Sequence, residues 1–469
     1  MNAEDLCFTS ATELAEAIRT KTLSPVEIAE AVLERIERVN PKLNAYCTLT
    51  AEIAREGAKR AEQAVMGGEK LGPLHGVPYS VKDLVITEGI RTMRGSKIHE
   101  NEIPTEDAPL VTRLKQAGGV MIGKTTTPEF GWKGMTDSPV TGVTRNPWNT
   151  GLTPGGSSGG ASAQVAAGLA PLAVGTDGGG SIRIPAGFAG IFGIKASYGR
   201  VPVYPSGAFD TLSHAGPMTR TVADAALMLS VMAGHHPSDR FSLLDAPADY
   251  VGRLREGIGG LRVAWSPNLG YATVNAEVAR VSADAAGAFP GFGCTVEEVA
   301  DPGFGDPTPT FTTHWLAGAA GMLGERLPEW EAKIDPGLVD MVKRGLELSA
   351  ADFVKAQIER HAYCDRVRRF FESFDLLLTP TLAVLPFKAG VDYSEALKDE
   401  DVDWISWTPF SYPFNLTHLP AATVPAGFSK DGLPVGLQIV GRRGEELRVL
   451  QAAAAFEEAR PWAGKRPPV

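Results

Sequence analysis

Cysteine is scarce in this chain. Four occur in 469 residues, Cys7, Cys47, Cys294 and Cys364, and none stands in a CxxC pair. That spacing argues against a metal site built on cysteine and, at this length, against a disulfide framework. It suits a reducing, cytoplasmic compartment. Basic runs are missing too. The 45 Lys and Arg are outnumbered by 55 Asp and Glu, giving a net charge of −10. A surface of that sign disfavours nucleic acid as a direct partner. No apolar run reaches membrane-spanning length, and the opening residues MNAEDLCFTS lack a secretory-leader pattern. What is there is a hydrophobic content of 43%, enough for a large buried core. These features together predict a soluble globular protein.

Helix signals dominate the first 70 or so residues. Ser10-Ala-Thr-Glu13 and Ser24-Pro-Val-Glu27 both fit a capping box, with Pro25 at the first helical position. After Gly72 the texture changes. "GVPYSVKDLVITEG" reads as a strand, "APLVTRLKQAGG" as a helix and "VMIGK" as the next strand. "ASAQVAAGLAPLAVGTD" continues the alternation. Strands alternating with helices predict an α/β layer fold with a mostly parallel core sheet. Residues 235–375 are mainly helical in pattern and read as a possible substrate-facing insertion. No composition shift marks a boundary, so the whole of 1–469 is expected to form one domain.

Three motifs compete for the chemistry. Gly118-Gly-Val-Met-Ile-Gly-Lys-Thr125 matches the phosphate-loop pattern, but Val120–Ile122 read as the strand itself and Pro128 opposes a following helix. Gly155-Gly-Ser157-Ser-Gly159 matches the G-x-S-x-G nucleophile elbow, but the turn-rich "NPWNTGLTP" precedes it. An elbow also needs a histidine, and none of His214, His235, His236, His314, His361 and His418 has a distinguishing context. The third match joins Lys82 in "VPYSVKD", Ser157 in "TPGGSSGG" and Ser181 in "GTDGGGSIRIPA". One helix and one strand separate the two serines, a return that can bring both ends together. Lys82, among Val81, Leu84, Val85 and Ile86, reads either as a desolvated amine or as a strand-end lysine facing solvent.

At these residues the chain resembles the amidase signature family of serine amidohydrolases. The likeness runs through "HGVPYSVKD", "IGKTTTPEFGW", "TRNPWN", "TPGGSSGG", "GTDGGGSIRIPA", "GIKASYGRVP", "GPMTRTVADAA" and "LPAATVPAG…GLPVGLQIVG", nearly the full length. It implies a large mixed, mostly parallel central sheet covered by helices on both faces. It implies a relay in which Lys82 takes a proton from Ser157 and Ser157 takes one from Ser181, with a cis bond before Ser157. Gly178, Gly179 and Gly180 match the oxyanion-hole positions, together with the Ser181 N–H.

Around these, Asp177 and Arg183 are expected to fix the loop by ion pairing, with Ser158 and Thr176 in support. Phe130, Gly131 and Trp132 match a substrate-pocket segment, and further pocket residues are expected from 310–345 and from "WISWTPFSYPFN". The implied reaction is hydrolysis of a small or aryl amide through an acyl-enzyme on Ser181, with neither metal nor cofactor. The family also contains carbamate hydrolases and the tRNA-dependent glutamyl amidotransferases' amidase component, the A subunit. That component is expected to carry "DTGGSIRQPA", so Ile184 in place of glutamine favours a free-standing hydrolase, a monomer or homodimer. A histidine-triad hydrolase stays open as a third reading.

Overall fold

Two serines start the chain's first long helices. The computed structural model describes residues 2–392 and 405–469. In it, Ser10 and Ser24 each close a capping box, with Glu13 and Glu27 reaching back to the cap N–H. Helices Ala11–Arg19 and Pro25–Leu43 follow, the second with Pro25 at its first position. The N-terminal region also contains strand β1 (Tyr46–Leu49), which the helical pattern on either side hides. Its antiparallel partner lies far along the chain, with Tyr46 opposite Thr125, so only the tertiary fold reveals it.

The remaining strands are β2 (Pro78–Lys82), β3 (Val120–Thr125), β4 (Asp137–Ser138), β5 (Gly142–Val143), β6 (Leu172–Asp177), β7 (Phe192–Lys195), β8 (His214–Thr219), β9 (Arg262–Trp265), β10 (Thr295–Glu298), β11 (Leu376–Pro380), β12 (Ala421–Phe428) and β13 (Pro434–Gly441). Eleven of them form one sheet in the order β1-β3-β2-β6-β8-β7-β12-β13-β11-β9-β10, and β4 pairs with β5 alone. The sheet is large and mixed, as expected. Its parallel ladders lie in two blocks, β3-β2-β6 and β11-β9-β10, and the strands between them pair antiparallel. Short connections explain the antiparallel centre. The turn between Phe428 and Pro434 is too short for a crossover, so β12 and β13 form a hairpin.

Alternation along the strands shows that both faces are covered. Leu172 and Val174 join one large apolar cluster, while Ala173 joins a second with Val165, Ile182 and Ala186. Leu376 and Leu378 likewise face the first cluster, and Leu377 faces away with Phe188 and Trp407. Residues 235–375 divide between two places. Strands β9 and β10 extend one end of the sheet, while helices Thr308–Leu323 and Pro336–Leu346 pack beside the serine loops. Among the described residues no helix is long and apolar enough to cross a membrane.

Candidate active site

Lys82 closes strand β2, and its neighbour β6 runs parallel to it with Val81 beside Val174. The carboxyl ends of parallel strands next to a change of strand direction are where open α/β sheets place ligand crevices. Here β6 meets the antiparallel β8. The Lys82 side chain is fully buried, which decides between its two readings. Its Nζ lies 2.7 Å from Ser157 Oγ, 2.9 Å from Ser158 Oγ and 2.9 Å from Thr176 Oγ1. Burial pushes its pKa well below the usual lysine value, and the Asp177 charge opposes this only in part.

The proton of Ser158 is already committed. Its hydroxyl donates to the Thr176 carbonyl at 3.1 Å and accepts the Thr176 N–H at 3.2 Å. It can therefore only accept from Lys82. An unprotonated amine has two donors and one lone pair. Giving the donors to Ser158 and Thr176 leaves the lone pair for the Ser157 hydroxyl.

Ser157 follows a cis peptide bond from Gly156. The glycines here are packing residues. A Cβ on Gly156 would stand 2.3 Å from the Met135 carbonyl oxygen. Helix Gly159–Ala166 begins directly after Ser158. The Ser158 N–H donates to the Ser181 carbonyl at 3.2 Å, which joins this loop to the second serine loop.

That second loop is built around a buried ion pair. Arg183 Nη2 lies 2.9 Å from Asp177 Oδ1, and Arg183 Nε lies 3.0 Å from Oδ2. Burial alone would raise the Asp177 pKa. The Arg183 and Lys195 charges and the Asn415 hydrogen bond outweigh it and hold the carboxyl well below the carboxylate range. Asp177 Oδ1 also accepts the Gly180 N–H at 2.7 Å, and Oδ2 accepts the Ile182 N–H at 3.2 Å.

This corrects one expectation. The Gly180 N–H is turned back onto Asp177, so it holds the loop and does not face an oxyanion. Gly180 sits at φ +128, and a Cβ there would stand 2.4 Å from Ser411 Oγ. Among the described residues, the N–H groups of Gly178, Gly179 and Ser181 have no hydrogen-bond partner. The rings of Trp315 and Phe311 close against Gly178 and Gly179, which brings part of the 310–345 stretch to the site.

Ser181 lines a narrow cavity of about 20 Å³ with Gly131, Trp132, Ile184, Trp315 and Trp407. A larger apolar cavity of about 170 Å³ lies beside Thr176, lined by Leu84, Phe130, Tyr204, Phe209 and Met322 among others. Phe130 faces one cavity and Gly131 and Trp132 the other, so this segment forms a wall common to both. Phe130 adopts φ +51, and its N–H donates to the Arg94 carbonyl at 2.8 Å.

A family model described as Amidase matches residues 27–450. The chain belongs to the amidase signature family. It is 42% identical over 477 aligned residues to an acylamidase of Rhodococcus erythropolis, covering 100% of this chain and 98% of that protein. It is 38% identical over 489 aligned residues to the A subunit of the glutamyl-tRNA(Gln) amidotransferase of Carboxydothermus hydrogenoformans, covering 99% of each. A solved bacterial aryl acylamidase of the amidase signature family matches with a TM-score of 0.90 and 34% identity, covering 98% of this chain and 99% of that one. The protein is thus an amidohydrolase acting on carbon–nitrogen bonds other than peptide bonds.

The amidase uses several residues that sequence reasoning did not single out. Asn415 donates to the Asp177 carbonyl at 2.9 Å and accepts from Arg183 at 2.7 Å. Gln438 Oε1 accepts from Arg183 Nη1 at 2.8 Å, and Ser411 Oγ donates to the Gly179 carbonyl at 2.6 Å. Asn415 and Ser411 come from "WISWTPFSYPFN", whose Trp404 lies outside the described residues. A polar residue inside the apolar run of β13 is the signal that marks Gln438. His214 bonds to the Leu212 and Asp177 carbonyls and to Lys195, and to neither serine. Lys124 of the phosphate-loop match lies inside the buried strand β3, bonded to Val85, Thr87 and Thr92. Among the described residues no group of three or more His, Cys, Asp or Glu side chains is arranged to hold a metal ion.

Proposed function

We propose that this amidase hydrolyses a small or aryl carboxamide by way of an acyl-enzyme on Ser181. The observation that carries the reading is the buried Lys82 amine, whose bonding leaves its lone pair to Ser157. Ser157 passes the proton of Ser181 to Lys82 as Ser181 Oγ attacks the carbonyl carbon. The oxyanion forms against the N–H groups of Gly178, Gly179 and Ser181, each worth roughly 2.7–4 kcal/mol in a dry site. The proton returns through Ser157 to the leaving nitrogen, and the amine or ammonia departs. Water then attacks the ester, Ser157 and Lys82 take its proton, and the carboxylic acid leaves with Ser181 restored. Phe130, Gly131 and Trp132 bound the pocket that receives the substrate.

The apolar cavity beside Thr176 supports a substrate with an aryl or alkyl group, and a carbamate of that shape fits the same chemistry. The free-standing hydrolase is favoured over an amidotransferase component by Ile184, which makes an apolar wall of the Ser181 cavity. The four free cysteines are consistent with the cytoplasm, and we read the chain as one domain working as a monomer or homodimer.

The test uses the purified chain with 4-nitroacetanilide, an aryl carbamate and a primary amide, followed by intact mass. Turnover by wild type alone, with acyl adducts absent from Ser181→Ala, is the expected result. A correctly folded wild type inert on all three favours the amidotransferase component. Full activity of Lys82→Ala would reopen the histidine reading.

A further inference from the structure

We propose that Lys195 and His214 form a positioning couple that aims the Gly178 N–H into the oxyanion hole. The inference rests on Ser181 being the nucleophile. In a trans peptide the C=O and N–H point in opposite directions. Whatever anchors the Asp177 carbonyl therefore fixes the direction of the Gly178 N–H. That carbonyl accepts from His214 Nδ1 at 3.2 Å and from Asn415 Nδ2 at 2.9 Å. The Ser181 N–H is aimed in the same way, because the Gly180 carbonyl accepts the Ile184 N–H at 2.7 Å.

Two carbonyls set which ring nitrogen of His214 carries the proton, and Lys195 reinforces the choice. Nδ1 faces two carbonyl oxygens, Asp177 at 3.2 Å and Leu212 at 2.7 Å. Only a protonated nitrogen suits that position, so Nε2 keeps the lone pair. Lys195 Nζ lies 3.3 Å from Nε2 and donates to it. Burial favours the free amine, and its second donor goes to the Leu419 carbonyl, which holds it in place. Both residues sit where the sheet delivers them. Lys195 ends β7, His214 begins β8, and His214 stands opposite Asp177 in the β6–β8 ladder. The edge of the Tyr198 ring, with centroids 5.3 Å apart, keeps the imidazole from turning. His214 is therefore a positioning residue and touches neither serine.

The test compares His214→Leu, His214→Gln and His214→Asn on 4-nitroacetanilide. An asparagine amide reaches the place of Nδ1–H, whereas a glutamine amide reaches that of Nε2. His214→Leu and His214→Gln are expected to lose about 10- to 100-fold in kcat, with KM within about twofold, as for a misaimed oxyanion donor. His214→Asn is expected to recover most of kcat. A trifluoromethyl ketone, which forms a hemiketal with a serine, should bind the Leu and Gln variants more weakly by the same factor as kcat falls. Lys195→Met should lower kcat in the same direction by loosening the tautomer. Leu or Gln variants with wild-type kcat overturn the proposal, as does an Asn variant as poor as Leu. Should His214→Leu fail to fold, the Gln–Asn pair decides alone. Activity surviving in Ser181→Ala would instead refute the nucleophile assignment.

Discussion

The Lys82 amine lies 2.7 Å from the Ser157 hydroxyl, and its other two partners are also hydroxyls. Among the described residues no carboxylate stands within ion-pair distance of it. The Asp177 charge offsets the desolvation of an ammonium only in part, so burial favours the free amine. On the proposed mechanism a lysine in this state serves as the base without a histidine.

The pH–rate profile should report that base. kcat/KM for 4-nitroacetanilide is expected to rise with pH along a limb lying well below 10.5, because only unprotonated Lys82 accepts the proton of Ser157. Lys82→Met should lower kcat/KM by about 10²–10⁴ and abolish the limb. A limb that stays at the ordinary lysine value, or survives in the variant, would contradict the assignment.

The same burial carries a stability cost, and its sign is fixed by linkage. An unfolded lysine holds its proton up to about pH 10.4, whereas folded Lys82 releases it well below that. Between those two pH values the unfolded chain binds more protons, so this group makes stability rise with pH. Methionine has a similar length and no charge to desolvate. Urea denaturation should show Lys82→Met gaining on wild type at pH 7, with the gap narrowing toward pH 10. A gap that widens with pH would mean that Lys82 is protonated in the fold.

The Asp177–Arg183 pair should be needed for the loop to exist at all. Both side chains are fully buried, and Asp177 also binds the Gly180 and Ile182 N–H groups. Asp177→Asn leaves the Arg183 charge unpaired in the interior, which costs about 3–5 kcal/mol. Denaturant unfolding should register that loss, and turnover should fall with it. Because the folded carboxyl is held below its usual range, its contribution is present above about pH 3.9 and is lost as pH falls further. A variant as stable as wild type at pH 7 would show that Asn415, Gln438 and the Ser411 carbonyl satisfy Arg183 without the carboxylate.

How much of this was legible in the sequence depends on chain distance. Ser24 and Glu27 lie within one helical turn, and their capping box could be read from spacing alone. Lys82, Ser157 and Ser181 each sit in a short distinctive segment, which makes them legible as candidates, whereas the meeting of Lys82 with Ser157 depends on the tertiary fold and Ser181 joins that loop through the Ser158 N–H. Strand β1 escaped because its partner β3 lies far along the chain and helices flank it. The Gly180 N–H was assigned to the oxyanion hole because a glycine run says that backbone is exposed, not which way each N–H points. Only the Asp177 carboxylate, placed by Arg183, decides that direction. Asn415 and Gln438 reach the loop from the other end of the chain, and no local pattern ties them to it.

Gly180 gives the sharpest test of loop shape. Its φ of +128 lies where residues with a Cβ are strained by about 1–3 kcal/mol. Its Cβ would also stand 2.4 Å from Ser411 Oγ and 2.5 Å from Ser411 Cβ. Gly180→Ala is therefore expected to displace the loop and to lower kcat more than KM changes. Adding Ser411→Gly removes the clash with Ser411, leaves the strain and a 2.8 Å approach to the flexible end of Ile184, and also removes the hydroxyl that donates to the Gly179 carbonyl. The double variant should then recover stability in urea but only part of kcat. Full recovery of kcat would mean that the clash alone matters and that the Gly179 carbonyl needs no anchor. No recovery of either would place the whole effect in the backbone angle.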